Sequence, residues 1–208
     1  LANTLIQLIL ASRSPRRAQL LTAAGWSFVQ ADPPYDDPPQ PPAGDAKTVA
    51  MTMAQTKAAS FAGSAVRAEY PNAVIVAADT LIAFPGGELA GTPTSRDEAG
   101  AMILRFFDAW HDVVTGVAIW QPGAESPIRF ADVASVWLDT PAPGELDAYL
   151  HTDLWQGKAG GYNLYERQLA GWSIDVKGEP TTVVGLPMPM VDAALRQAGL
   201  SPTEDSHP

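Results

Sequence analysis

Residues 72–84, NAVIVAADTLIAF, restrict the fold of this chain more than any other segment. From Ala73 to Ala78 every side chain is apolar and three are β-branched, so the run reads as a buried strand. Asp79 interrupts it, and the apolar pattern resumes at Leu81 and Ile82. Aspartate is depleted in strands, and a buried carboxylate without a partner is costly. Asp79 is therefore expected at a strand end or bulge, facing a cleft or a cation. A turn-capping role fits less well, because the strand pattern resumes at once. Open α/β sheets place their ligands at such strand ends.

A second strand precedes it. In LILASRSPRRAQLL, residues 8–21, the apolar run Leu5–Ala11 ends at Ser12, and Ala18, Leu21 and Ala24 then recur at helical spacing until Gly25. Ser14 suits the N-cap and Pro15 the first helical position, where its missing N–H costs nothing. Arg16 and Arg17 then fall in the first turn, where the positive end of the helix dipole disfavours each by about 0.3–1 kcal/mol. Two readings account for them. Free backbone N–H groups, the hydroxyls of Ser12 and Ser14 and two guanidinium groups make a phosphate cradle. Alternatively, both arginines pair with surface carboxylates, which are plentiful in a chain of net charge -10.

That charge narrows the partners. With 13 Lys and Arg against 23 Asp and Glu, the chain lacks the extended basic surface that nucleic-acid binding requires. A small anion remains compatible if the basic residues are focused in a cleft. The 208 residues, 46% hydrophobic with six tryptophans, suffice for a globular core. The absence of cysteine excludes disulfides and thiolate metal sites and is compatible with a cytoplasmic protein. No apolar run approaches the roughly 20 residues that cross a bilayer. The residues before the first apolar run carry no positive charge, which argues against a secretory signal.

Between these landmarks, WSFVQA reads as a strand. Residues 32–44 hold six prolines in thirteen positions and read as a stiff, polyproline-like loop. A long helix is expected from residue 46 to about 68. On it Lys57 lies four residues from Met53 and from Phe61, so it shares their apolar face and reads as a lysine snorkelling to solvent. Ser95 and Glu98 form a capping box, followed by an apolar stripe of Ala99, Met102, Ile103, Phe106 and Trp110 that marks a core-packed helix. HDVVTGVAIW and IRFADVASVWL read as an antiparallel hairpin with solvent-facing carboxylates. A short helix follows near Pro143. The glycine-rich stretch 155–172 reads as a loop, either close to a ligand or on the surface. A last helix opens near Pro187. His111 and His151 are isolated and read as structural.

In combination, LILASRSPRR, VAADT, HDVVTGVAI, GKAGGY and VVGLPM resemble, in order and approximate spacing, the Maf family of nucleoside triphosphate pyrophosphatases, the septum-formation inhibitor proteins. The resemblance runs from residue 5 to about 198. Residues 1–200 thus read as one domain, and 201–208 as a disordered tail. The resemblance implies an α/β fold: an elongated, two-lobed mixed sheet flanked by helices, similar to that of the inosine triphosphate pyrophosphatases. It implies cleavage between the α- and β-phosphates of a nucleotide, giving a monophosphate and pyrophosphate, with Mg²⁺ or Mn²⁺ as cofactor. Family members are often homodimers and are cytoplasmic. By resemblance, Ser12, Arg16 and Arg17 hold the triphosphate. Lys57 matches the family's helix lysine, and Asp79 matches its catalytic carboxylate, as proton acceptor or metal ligand. Arg16, Thr80 and the position of Tyr165 match the base-recognition set.

Three positions depart from the family pattern. Thr92, in Gly91-Thr92-Pro93, stands where a lysine is usual. A hydrogen bond to a charged group is worth about 1.5–3 kcal/mol, so that loss implies a reduction of about one to two orders of magnitude in binding or rate. Asp37 stands where glutamate is common and is a second candidate metal ligand. Tyr165 stands where a glutamine follows the KAGAYGI segment in the dTTP and UTP branch. Thr80 and GKAGGY favour that branch over the one acting on 7-methyl-GTP. The alternative to a working pyrophosphatase is a nucleotide-binding homologue with weak or no catalysis.

Overall fold

The computed structural model describes residues 8–38, 40–61 and 64–203. In chain order its elements are β1 (Leu8–Ala11), α1 (Pro15–Ala23), β2 (Val29–Ala31), α2 (Ala46–Ser60), α3 (Ala65–Glu69), β3 (Val74–Ala83), β4 (Leu89–Ala90), α4 (Arg96–Leu104), β5 (Trp110–Trp120), β6 (Ile128–Leu138), α5 (Glu145–Leu150), α6 (Leu164–Leu169), β7 (Ile174–Lys177), α7 (Pro180–Val184) and α8 (Met188–Gln197). One mixed, seven-stranded sheet runs β2-β1-β3-β5-β6-β7, with β4 added to the edge of β3. The β1–β2 and β1–β3 pairs are parallel and the remaining pairs antiparallel. The fold class is the expected α/β, a mixed sheet flanked by helices.

Alternation along β3 divides the core in two. Val74, Val76 and Ala78 join Leu8, Leu10, Leu21, Val191 and Leu195 on the face covered by α1 and α8. Ile75 and Ala77 point the other way, against Ala54 and Ala58 of α2 and Phe61 at its C-terminal end. Both faces are covered, which is why the strand reads as an unbroken apolar run instead of an alternating one. A further cluster closes the far end of the sheet, where Ile82, Val113, Val136 and Leu138 meet Ile103, Phe106, Tyr149 and Trp172.

Local chemistry sets several boundaries. Ser14 caps α1 by accepting a hydrogen bond from Arg17 N at 3.4 Å, and Pro15 opens the helix. Gln30 Nε2 donates to Ser12 O at 2.8 Å, tying this turn to β2. The first strand begins at Leu8, and residues 5–7 of the expected run lie outside the described residues. The long helix expected over 46–68 is instead two helices. Buried Phe61 terminates α2, and Ser64 caps α3 by accepting from Arg67 N at 3.1 Å. A glycine followed by a good N-cap residue favours that break over continuation.

Ser95 caps α4, but Glu98 reaches back one residue further than a capping box requires, accepting from Thr94 N and Oγ1 at 2.7 Å. The helix stops at Leu104; Phe106 is still in the core, and Trp110 opens β5. The β5–β6 hairpin forms as expected. Its carboxylates do not simply face water, since Asp112 accepts from Ser135 Oγ at 2.6 Å and Asp132 from Thr182 Oγ1 at 2.5 Å. Within the glycine-rich stretch, a 3-10 turn at Ala159–Gly161 and then α6 bring Gly160 against Ile82, where a Cβ would lie 3.1 Å from Cδ1. Of the tail expected from Ser201, Thr203 bonds back to Gly25 O through both N and Oγ1 at 2.9 Å, and residues 204–208 lie outside the described residues.

Candidate active site

Asp79 does not occupy a strand end. It lies within β3, paired with Gly116 of β5. The opening beside it arises on the other edge of β3. There β1 pairs only as far as Val76, and β4 begins at Ile82, so the stretch between has no neighbouring strand. A cleft of about 630 Å³ occupies this gap, bordered by the β1–α1 turn, the proline-rich loop, α2, the β4–α4 loop and the segment around Tyr162.

Alternation gives consecutive residues of β3 different surroundings. Asp79 belongs to the α2 face, where Lys57 Nζ meets its Oδ1 at 2.5 Å and Asp37 Oδ1 at 2.7 Å. Lys57 is 7% exposed, so it does not snorkel; it bridges two carboxylates. Asp79 Oδ2 is buried and has no partner among the described residues. Burial raises the Asp79 carboxyl pKa above the ordinary value, against the opposing pull of Lys57 and Arg17. The α2 helix approaches this closely because residue 116 is glycine: a Cβ there would lie 2.3 Å from the carbonyl carbon of Ala50.

Thr80 belongs to the opposite face and meets Arg17. That guanidinium is held from three directions: Nε donates to Gly185 O at 2.9 Å, Nη1 to Ser12 Oγ at 3.2 Å and Nη2 to Thr80 Oγ1 at 3.0 Å. Arg16 Nη2 donates to Gly157 O at 2.8 Å. Neither arginine pairs with a surface carboxylate among the described residues. Burial lowers the pKa of both guanidinium groups, opposed chiefly by Glu166 at Arg16 and by Asp79 at Arg17. The first turn offers fewer backbone donors than the sequence suggested. Pro15 has none, and the N–H groups of Arg17 and Ala18 are taken by Ser14, which leaves that of Arg16 without a partner among the described residues.

The structure thus brings Ser12, Arg16, Arg17, Asp37, Lys57, Asp79, Thr80 and Thr92 to one cleft. Tyr165 is not among its lining residues; it lies on α6 and is 42% exposed. Tyr162 and Asn163 line the cleft instead. Lys158 and Arg96 do not line it either, and Lys158 is paired with Glu166. His111 is a core residue, stacked on Phe106 with Nε2 2.9 Å from Tyr162 Oη; burial pushes its pKa down to about 4. His151 sits exposed at the end of α5. Sequence reasoning missed Tyr162, Asn163, Thr115 and Gly116. For the last two, the signal is their place in the HDVVTG run opposite VAADT, which only strand register reveals.

The profile of the Maf-like protein family matches residues 7–198. Similar curated proteins include the dTTP/UTP pyrophosphatase of Salinibacter ruber, 32% identical over 198 residues, with 93% of this chain and 94% of that one covered. Another is the dTTP/UTP pyrophosphatase of Shouchella clausii, 33% identical over 194 residues, covering 93% and 96%. The protein of that name from Myxococcus xanthus is 34% identical over 195 residues, covering 93% of each chain. With the profile matching nearly the whole chain, and full-length relatives above 30% identity, this chain belongs to the Maf family.

Proposed function

We propose that this chain is a nucleoside triphosphate pyrophosphatase that hydrolyses dTTP, UTP or related pyrimidine nucleotides to the monophosphate and pyrophosphate in the cleft beside Asp79. The observation that carries this reading is the juxtaposition of a buried carboxylate, with one oxygen held by Lys57 and the other without a partner among the described residues, and two arginines that lack carboxylate partners among those residues. The names of the full-length relatives support the same reaction and substrates.

Arg17, held by Ser12, Thr80 and Gly185, presents its remaining N–H groups without further ordering, and Arg16 and Lys57 add charge at the rim and floor. Preorganised donors of this kind stabilise charge as it builds on a leaving pyrophosphate. Asp79 Oδ2 takes the proton of the attacking water, and Lys57 holds the carboxylate in place through Oδ1.

The donor set also fits a hard divalent cation. Asp79, whose buried Oδ2 has no partner among the described residues, and Asp37 offer two carboxylates on either side of Lys57. These oxygen donors suit Mg²⁺ or Mn²⁺, which would draw further ligands from phosphate oxygens and water. When bound, such an ion neutralises phosphate charge and lowers the pKa of a coordinated water. No helix among the described residues is long and apolar enough to cross a membrane.

A nucleotide-binding homologue with weak catalysis is the second reading, favoured by Thr92, since neither Lys158 nor Arg96 lines the cleft to replace a cation there. A panel of dTTP, UTP, CTP, ITP and 7-methyl-GTP in Mg²⁺ or Mn²⁺, assayed for pyrophosphate against orthophosphate, separates the two. Pyrophosphate from the pyrimidine nucleotides is expected. Binding without release of either product would favour the second reading.

A further inference from the structure

Behind Thr80 runs a chain of hydroxyls whose donor directions are all determined. Thr115 and Thr182 are fully buried, out of reach of solvent. Thr182 Oγ1 donates to Asp132 Oδ2 at 2.5 Å, and Thr182 O accepts from Thr115 Oγ1 at 2.8 Å. A carbonyl oxygen cannot donate, so the one proton of Thr115 is committed to it. Thr115 therefore only accepts at its 3.0 Å contact with Thr80 Oγ1, and Thr80 must be the donor there. The guanidinium of Arg17 can only donate, and it already occupies one lone pair of Thr80. What Thr80 has left for the cleft is a lone pair and no proton.

We infer that Thr115 fixes the hydrogen-bond polarity of Thr80, so that the cleft selects nucleotides carrying an N–H or O–H donor at that point. This rests on the pyrophosphatase reading for its substrates. The donors that uridine and thymidine nucleotides share are the imide N3–H of the base and the 3′-hydroxyl of the sugar. Cytosine lacks the first, presenting a lone pair at N3, and a 3′-deoxynucleotide lacks the second. A lone pair set against a lone pair in a partly dry site is rejected more strongly than a missing methyl group. Thr115 touches no substrate in this account; it is a positioning residue acting through Thr80.

The test compares UTP with CTP, and UTP with 3′-deoxy-UTP, as ratios of kcat/KM and, in parallel, of Kd. Wild type, Thr115→Val, Thr115→Ser and Thr80→Val are measured. Thr115→Val keeps the branched shape but frees the Thr80 proton, and one of the two ratios should fall by about tenfold. Thr115→Ser, which keeps the hydroxyl, should retain the wild-type value. A fall in UTP against CTP assigns the donor to the base, and a fall against 3′-deoxy-UTP assigns it to the sugar.

If Thr115→Val slows or weakens all three nucleotides equally, or leaves both ratios unchanged, the inference is overturned. Thr80→Val, at a partly buried position, must abolish the same discrimination, and wild-type ratios in that variant overturn the inference even should Thr115→Val fail to fold. A wild type that binds nucleotides without cleaving them would refute the pyrophosphatase reading, yet the Kd ratios would still decide the polarity.

Discussion

Replacing Gly116 by alanine tests whether the sheet holds Lys57 at the distance from Asp79 that the proposed reaction needs. Its Cβ would lie 2.3 Å from Ala50 C, 2.4 Å from Met51 N and 2.5 Å from Ala50 O, all backbone atoms of α2 that no rotamer change relieves. Carbon atoms in contact sit about 3.5–4.0 Å apart, so the helix must retreat by more than about 1 Å. Lys57 is seven residues further along the same helix, about 10 Å at the α-helical rise, and a single 15-residue helix carries the displacement to it. Overpacking of this kind costs about 1–3 kcal/mol, which corresponds to a melting point lowered by roughly 3–10 °C for a chain of this size. If Lys57 acts as proposed, a displacement of about 1 Å can cost about 10²-fold in rate. Thermal unfolding and pyrophosphate release from UTP, measured on Gly116→Ala beside wild type, report both effects. A variant that melts with the wild type and turns over at the wild-type rate would show that the α2 approach is not what places Lys57.

Other expectations follow from the charges. In the proposed reaction Asp79 must be ionised to accept a proton, and burial raises its pKa above 3.8, so kcat/KM should fall on acidification at a pH above that value; an acid limb at or below it would contradict the assignment. His111 is depressed from 6.5 to about 4 in the folded state, so the unfolded chain binds more protons between those values. Stability is then fully present above pH 6.5 and declines toward pH 4 by about 3 kcal/mol, a slope that His111→Gln should flatten in pH-dependent denaturation. Matching slopes in variant and wild type would rule this out. Thr92→Lys places a cation in a loop lining the cleft and should raise kcat/KM by about tenfold or more. An unchanged value would mean that the existing cations already saturate the phosphates.

Those charges were legible in the sequence because their signals are local. Ser14 and Pro15 define the start of α1, and this alone puts Arg16 and Arg17 at a strand-to-helix turn. Asp79 stood out because a carboxylate in an apolar run is costly, although its place within the strand depends on where β1 and β4 stop. Lys57 illustrates the boundary: its helical face was readable, but a snorkelling lysine and a buried ion pair have the same spacing, and only tertiary packing separates them. Thr115 and Gly116 were not legible, because their roles come from pairing opposite Thr80 and Asp79, a register set 35 and 37 residues away in the chain. Tyr165, read by resemblance at a base-recognition position, sits outside the cleft lining in space, a placement that α6 sets and sequence spacing does not show.

The most direct test of the central claim is to measure pyrophosphate release and nucleotide affinity together in wild type and Asp79→Asn. The substitution keeps the side chain's shape and retains the cations Arg16, Arg17 and Lys57, but removes the proposed proton acceptor. Turnover of dTTP and UTP should be lost while Kd stays within a few-fold of wild type. Undiminished pyrophosphate release from Asp79→Asn would contradict the account.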